Sequence, residues 1–215
     1  MTKKYSNSFI LIHGFMMDGE TMKYYQDKIK TIFPHYTINF IKPTATKIGI
    51  SIYDNERYHS WYDYYTPSCD EEPYINENQL VKNRLRIHKL ISKEIHYHNG
   101  NSERVFLLGM SQGCCMSLDA GLTFPMKLGG IIGFKGHVIK KTFEDFKSPQ
   151  NVWLCHGLGD KTIYYDLAKG TYDQLQKINP EVTLLTQKCN HSMYSGIIHQ
   201  MKDIQKHFGG NIVKL

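Results

Sequence analysis

The sequence lacks a long apolar run, a metal-binding cysteine motif and any dense run of one charge. No window of its 215 residues reaches 18 consecutive apolar positions, so no transmembrane helix is expected. The first apolar run, Phe9 to Ile12, is too short for a signal peptide. None of the five cysteines is spaced as Cys-x-x-Cys, which argues against a zinc site, and the odd count argues against a disulfide scaffold. We therefore expect reduced thiols in a cytoplasmic protein.

The positive charge is spread along the chain. Lys and Arg total 26 against 20 Asp and Glu, which gives a net charge of +6. The longest basic runs are pairs, at Lys3-Lys4 and Lys140-Lys141. Nucleic-acid binding usually needs a concentrated patch, and interfacial binding usually needs a basic amphipathic helix. We expect neither a nucleic-acid partner nor stable membrane insertion. The length fits a single domain over 1–215, with the oligomeric state open.

Strand-like and helix-like stretches alternate, which predicts an α/β fold with a mainly parallel sheet flanked by helices. The predicted strands are 8–13, 36–41, 104–108, 128–134, 152–155 and 182–186, and the predicted helices are 21–32, 76–97, 112–124, 165–178 and 195–208. Apolar residues at three- and four-residue steps define the expected buried face of the helix 76–97, which comprises Val81, Leu85, His88, Ile91 and Ile95.

Residues 44–74 show no helical period and are rich in aromatic residues. A loop of this length in a compact domain is usually either a functional lid or disordered. The aromatic density argues against disorder, so we predict a packed lid loop.

The strongest motif is Gly109-Met110-Ser111-Gln112-Gly113, a G-x-S-x-G sequence between a predicted strand and a predicted helix. In that setting a sharp turn lifts the serine clear of the sheet, where its hydroxyl can act as a nucleophile. The glycines avoid a clash between a Cβ and neighbouring backbone. The N–H groups at the start of the helix favour a developing anion.

A serine nucleophile needs a base, and the base needs an acid to orient it. Asp160 follows the strand 152–155, and His191 follows the strand 182–186. Each separation is long enough for a strand-and-helix crossover. Ser111, Asp160 and His191 are therefore predicted to meet at the carboxyl edge of one sheet.

Four other residues are alternatives for the acid and the base. Asp166 lies inside the predicted helix, and His199 lies within the closing helix. His156 precedes a glycine in a turn, where a local hydrogen bond is the simpler role. His13 belongs to a His-Gly step that we assign to the shape of the loop after the first strand.

Together these motifs resemble the acyl-protein thioesterase and small carboxylesterase family, the phospholipase/carboxylesterase branch of the α/β-hydrolases. The resemblance runs in order from about Phe9 to Phe208. Beyond the serine motif it rests on Leu11-Ile12-His13-Gly14-Phe15, Pro43-Thr44-Ala45, Ser60-Trp61-Tyr62-Asp63, Cys155-His156-Gly157 with Asp160, and His191-Ser192.

The resemblance implies an α/β-hydrolase fold and a serine hydrolase that cleaves carboxylic esters or thioesters without a metal or organic cofactor. It also implies an oxyanion hole made by the backbone N–H groups of Phe15 and Gln112. Trp61 and Met16 are candidates for the wall of the acyl pocket, although an aromatic residue in a packed loop is more often core. Asp63 is expected to order the lid.

Some positions depart from the family pattern: Met16 and Met17 replace small residues, Cys114 replaces a glycine, and Lys161 replaces a proline after the aspartate. The bulkier groups could narrow the acyl pocket. Cys114 and Cys115 lie at the start of a predicted helix, where the pKa of a thiol can be lowered. We nevertheless expect both side chains to serve in packing.

The substrate is expected to be an ester or thioester, and a lipidated protein is one candidate. Two alternatives stay open: a lipase- or phospholipase-like lipid esterase, and an idle hydrolase fold that only binds.

Overall fold

The computed structural model describes residues 5–67 and 69–212. The strands are β1 (Asn7–Ile12), β2 (Ile38–Ile41), β3 (Lys47–Ile50), β4 (Glu56–His59), β5 (Val105–Met110), β6 (Gly130–Phe134), β7 (Val152–Gly157) and β8 (Val182–Gln187). The helices are α1 (Lys23–Ile32), α2 (Glu77–Tyr97), α3 (Gln112–Leu122), α4 (Lys140–Glu144), α5 (Tyr165–Ile178) and α6 (Ile197–Phe208).

Six strands form one sheet in the order β2-β1-β5-β6-β7-β8, and every neighbouring pair is parallel. Strands β1, β5, β6 and β7 are buried at every residue, as expected for a parallel sheet covered on both faces. The chain leaves β1 toward β2 on one side and later returns to β5 on the other. The carboxyl ends of β1 and β5 therefore form the switch point at which α/β sheets hold their sites.

Two apolar cores lie on the two faces of the sheet. One contains side chains of α2, α3 and α5, and the other contains side chains of α1 and α6. Neighbouring residues of β1 alternate between them: Ile10 and Ile12 lie in the first core, Phe9 and Leu11 in the second. Among the helices of the described residues, none has the length and apolar content needed to cross a membrane.

The predicted α/β architecture is confirmed, with a mostly parallel sheet and helices on both faces. Each predicted strand and helix is present with shifts of a few residues at its ends, and helix α5 has the predicted bounds. The short helix α4 was not predicted, because five residues are too few to display a helical period.

The predicted buried face of α2 is partly wrong. Leu85 is 54% exposed, whereas Leu80 and Ile87 are buried with Ile91. The buried face also carries Arg84, which binds both carboxylate oxygens of Asp119 on α3 at 2.7 and 2.9 Å. A pattern based on apolar residues alone places an arginine on the exposed face, so it does not predict a buried ion pair on this side of the helix.

The segment 44–74 contains an unpredicted antiparallel hairpin of β3 and β4. Asp54 and Asn55 both have positive φ at its turn, a conformation that these two residue types tolerate better than most. The hairpin strands are short and hold few buried residues, so they lack the alternation by which a strand is recognised in a sequence.

Candidate active site

Ser111 stands in a sharp turn between β5 and α3. Its φ of 56° and ψ of −124° lie outside the ordinary strand and helix regions. Its N–H donates to the carbonyl of Phe134 on β6 at 2.8 Å, which holds the turn against the sheet. A Cβ on Gly109 would collide with the carbonyl of Gly113, and a Cβ on Gly113 would collide with the carbonyl of Ile12. Both glycines are therefore required by the close approach of strand and helix.

The structure brings together the three side chains that the sequence predicts to meet. Nδ1 of His191 lies 2.7 Å from Oδ2 of Asp160, and Nε2 of His191 lies 2.9 Å from Oγ of Ser111. With the proton on Nδ1, the ring donates to the carboxylate and can accept the serine proton. The arrangement links an acid, a base and a hydroxyl in one chain of hydrogen bonds.

Asp160 is held as a carboxylate. Its Oδ1 accepts hydrogen bonds from the N–H groups of Thr162 and Ile163 at 2.9 and 3.0 Å. Burial alone would raise the pKa of Asp160, but these bonds and the bond from His191 lower it below its ordinary value. The charged carboxylate of Asp160 therefore faces the imidazole of His191, where it can stabilise the imidazolium that forms when the ring takes a proton.

Hydrogen bonds of the His13 ring hold the loop after β1 in place. The buried His13 ring donates from Nδ1 to the carbonyl of Gly14 at 2.7 Å and accepts at Nε2 from the N–H of Ala45 at 2.9 Å. Burial lowers the pKa of His13, so the neutral ring that this pattern needs is favoured. This bracing fits the expected role of the His-Gly step in shaping the loop.

Two backbone N–H groups lie free beside the serine. Within residues 5–67 and 69–212, neither the N–H of Phe15 nor that of Gln112 donates to a protein acceptor. Gln112 begins helix α3, whose first N–H groups have no partner within the helix. These two groups are the predicted oxyanion donors.

The Gln112 side chain ties the serine turn to the aromatic segment. Its Oε1 accepts from the N–H of Trp61 at 3.0 Å, and its Nε2 donates to the Ser60 hydroxyl at 2.9 Å and to the Tyr62 carbonyl at 3.1 Å. Asp63 accepts from the N–H and the hydroxyl of Ser51, both at 2.7 Å, which is the ordering role expected for it.

A cavity of 360 Å³ opens beside Ser111. That volume lies in the range of sites for small organic ligands. Most of its wall is apolar or aromatic and comes from Phe15, Ile52, Tyr53, Tyr64, Pro73, Ile163 and Leu167. Cys115 and His137 also line the cavity.

The structure places neither Trp61 nor Met16 in this wall, contrary to the expectation for an acyl pocket. Trp61 is fully buried in the core, where its indole N–H donates to the His13 carbonyl at 2.8 Å. Met16 is 47% exposed, has a positive φ of 63°, and donates its backbone N–H to the carbonyl of His59 at 3.0 Å. Neither residue lines the cavity.

The alternative acids and bases lie apart from the serine. Asp166 and His199 are exposed on helices α5 and α6. His156 is buried, and its Nε2 donates to the carbonyl of Ile163 at 2.9 Å, the local hydrogen bond expected of it. Burial lowers the pKa of His156, so the ring beside Asp160 is held neutral.

Lys135 is a residue of the site that sequence reasoning missed. It is 1% exposed, and its Nζ donates to the carbonyl of Ser192 at 2.5 Å. This bond ties the end of β6 to the loop that carries His191. No short motif marks Lys135, because its partner is a carbonyl far along the chain.

The described ranges contain no group of three or more His, Cys, Asp or Glu side chains that could hold a metal ion.

The fold and the position of the serine turn define the class of protein, an α/β-hydrolase. Within that class, the chain belongs to the phospholipase/carboxylesterase family, whose sequence profile matches residues 1–212.

Relatives of the chain are named as thioesterases and carboxylesterases. The chain is 32% identical over 127 residues to acyl-protein thioesterase 1 of Schizosaccharomyces pombe, a match that covers 59% of this chain and 54% of that protein. It thus spans about half the length of this relative. It is 27% identical over 208 residues to a probable carboxylesterase, SOBER1-like, of Arabidopsis thaliana, which covers 92% of this chain and 74% of that protein.

Solved structures agree on the fold. The crystal structure of Arabidopsis thaliana SOBER1 matches with a TM-score of 0.81 at 20% identity, covering 96% of this chain and 99% of that one. Zea mays acyl-protein thioesterase 2 matches with a TM-score of 0.78 at 17% identity, covering 99% and 96%.

Proposed function

We propose that the protein is a serine hydrolase that cleaves carboxylic esters or thioesters through an acyl-enzyme. The observation that carries this proposal is the continuous chain of hydrogen bonds from Asp160 through His191 to the Ser111 hydroxyl, at 2.7 and 2.9 Å. Membership of the phospholipase/carboxylesterase family and the names of the relatives support the same reaction class.

In the proposed reaction, Oγ of Ser111 attacks the substrate carbonyl while Nε2 of His191 takes its proton. Asp160 keeps the proton on Nδ1 and stabilises the imidazolium. The N–H groups of Phe15 and Gln112 stabilise the oxyanion, and one such donor contributes about 3 kcal/mol. His191 then returns the proton to the leaving alcohol or thiol, and water releases the acid by the same steps.

The acyl group is proposed to enter the cavity beside Ser111. Its largely apolar wall favours an aliphatic or aromatic acyl chain over a charged one. A lipidated protein is a candidate substrate, in keeping with the name of the thioesterase relative. All five cysteines are free, which supports the expected cytoplasmic setting.

A two-part experiment tests the proposal. Purified protein is treated with a fluorophosphonate, and the labelled peptide is mapped; we expect one label, on Ser111, and none in Ser111→Ala. The same protein is assayed on p-nitrophenyl esters from acetate to palmitate and on palmitoyl-CoA. Turnover that persists in Ser111→Ala contradicts the proposal. An unlabelled Ser111 with no turnover on any substrate favours a binding protein instead.

A further inference from the structure

Cys115 lies in the same cavity as the serine, one helical turn away. Ser111 lies in the turn that precedes α3 and Cys115 lies in the first turn of α3, and both residues line the cavity. The thiol is 1% exposed to bulk solvent, and the cavity is its route of access. A molecule that enters the cavity beside Ser111 therefore comes close to the thiol of Cys115.

A buried histidine accompanies that thiol. His137 also lines the cavity and is 4% exposed. Its backbone N–H donates to Sγ of Cys115 at 3.4 Å, and Nδ1 of its imidazole lies 3.4 Å from the carbonyl of Val138. A potential nucleophile and a potential acid thus line the same cavity, the pairing that reactive cysteines use.

The charge state of the pair follows from this contact. Burial alone would raise the pKa of Cys115, but the imidazole of His137 lowers it below its ordinary value. Burial would lower the pKa of His137, but the charge on Cys115 raises it to about 9. The other titratable groups around the pair are Tyr62, Tyr64, Cys114, Tyr172, Glu72 and His156.

The neighbouring thiol of Cys114 provides an internal contrast. It points toward the sheet, where a Cβ on Gly133 or Gly136 would collide with its sulfur. Burial raises the pKa of Cys114 well above its ordinary value, and it does not line the cavity. Two adjacent cysteines therefore differ in both access and ionisation.

We propose that Cys115 and His137 form a modification site that captures apolar α,β-unsaturated aldehydes and so closes the acyl cavity. The apolar wall binds the hydrocarbon chain, the imidazole of His137 takes the proton of the Cys115 thiol, and the resulting thiolate attacks the β-carbon. A carbon–sulfur bond forms as the electron pair of the carbon–carbon double bond moves to the enolate. The enolate takes the proton of the His137 imidazolium at its α-carbon, leaving neutral imidazole and a saturated aldehyde thioether. No oxidant, reductant or leaving group is needed.

Adduct formation does not depend on the proposed hydrolysis, whereas the resulting block of turnover rests on it. The test therefore includes Ser111→Ala. Protein is incubated with trans-2-octenal, the adduct is fixed with borohydride, and peptides are mapped by mass spectrometry. We expect one adduct per chain at Cys115 in both the wild type and Ser111→Ala, with parallel loss of ester turnover in the wild type.

Three variants sharpen the result. Cys115→Ser should form no adduct at position 115 and should keep its own untreated turnover when octenal is added. Cys114→Ser should behave as the wild type. His137→Gln, checked for folding by its Tm, should form the adduct about tenfold more slowly or worse, because the thiol loses its acid.

Cys69 also lines the cavity and has partial access to solvent, so it is the competing thiol. The rate at Cys115 should rise from 2-butenal to 2-octenal, and the rate at Cys69 should rise less. Equal modification of Cys69 or Cys114, or loss of turnover in octenal-treated Cys115→Ser, would overturn the proposal.

Discussion

The catalytic rim, defined by Ser111, Asp160 and His191, and the wall of the cavity beside it are built in different ways. Each rim side chain follows the carboxyl end of a parallel strand, in a turn fixed by backbone contacts. The cavity wall combines residues of the segment 44–74 with Phe15, Cys115, His137 and Leu167, which are far apart in sequence. In the proposed function the rim carries out the reaction, whereas the wall limits which acyl groups enter the cavity.

The largest effect should come from removing the rim nucleophile. Ser111→Ala leaves the fold and the cavity intact but removes the attacking oxygen, so kcat/KM for any ester substrate should fall by about 10⁴-fold or more. The measurement is p-nitrophenyl butyrate hydrolysis, with circular dichroism as the folding control. A folded variant with wild-type turnover would place the nucleophile elsewhere.

The loop after β1 lies beside the rim and the wall: the backbone N–H of Phe15 is the proposed oxyanion donor, and Phe15 also lines the cavity. Phe15→Pro removes its backbone N–H and should lower kcat by about 10²- to 10³-fold. Phe15→Leu is the matched control, because it keeps the N–H while shortening a side chain that packs against Tyr53 and Tyr64. It should alter KM more than kcat. Equal kcat in two folded variants would argue against a backbone donor at this position.

A smaller effect is expected at Lys135, which acts on the rim through another residue. Lys135→Met removes the bond to the Ser192 carbonyl and frees the loop of His191. Because Lys135 is a positioning residue, Lys135→Met should lower kcat by about tenfold with little change in KM. Fluorophosphonate labelling of Ser111 should slow in parallel. Lys188→Met, at an exposed position in the same loop, should match the wild type. A change confined to Tm would reduce Lys135 to a structural role.

The smallest effect on turnover is expected from Trp61. Trp61→Phe removes the indole bond to the His13 carbonyl, which should lower the free energy of unfolding by about 1–2 kcal/mol. Because Trp61 does not line the cavity, the ratio of kcat/KM between butyrate and octanoate esters should not change. A change in that ratio with unchanged stability would indicate that Trp61 contacts the acyl group.

The sequence predicts the rim better than the wall, for physical reasons. A nucleophile turn needs glycines at fixed spacing, and strand ends in a parallel sheet meet at one edge, so Ser111, Asp160 and His191 are found from local patterns. The roles of Lys135 and His137 depend on contacts with distant segments, which no local pattern encodes. The sequence leaves Trp61 open between core and acyl pocket, because an aromatic residue gives the same pattern in both, and the structure buries it in the core.

The most direct test of the central proposal is to isolate the acyl-enzyme. Protein mixed with p-nitrophenyl butyrate is quenched with acid during turnover, digested and mapped by mass spectrometry. We expect a butyryl group on the peptide that contains Ser111, formed at least as fast as turnover and absent from Ser111→Ala. Turnover accompanied by a butyryl group on another residue, or by no acyl-enzyme and an unaffected Ser111→Ala, would contradict it.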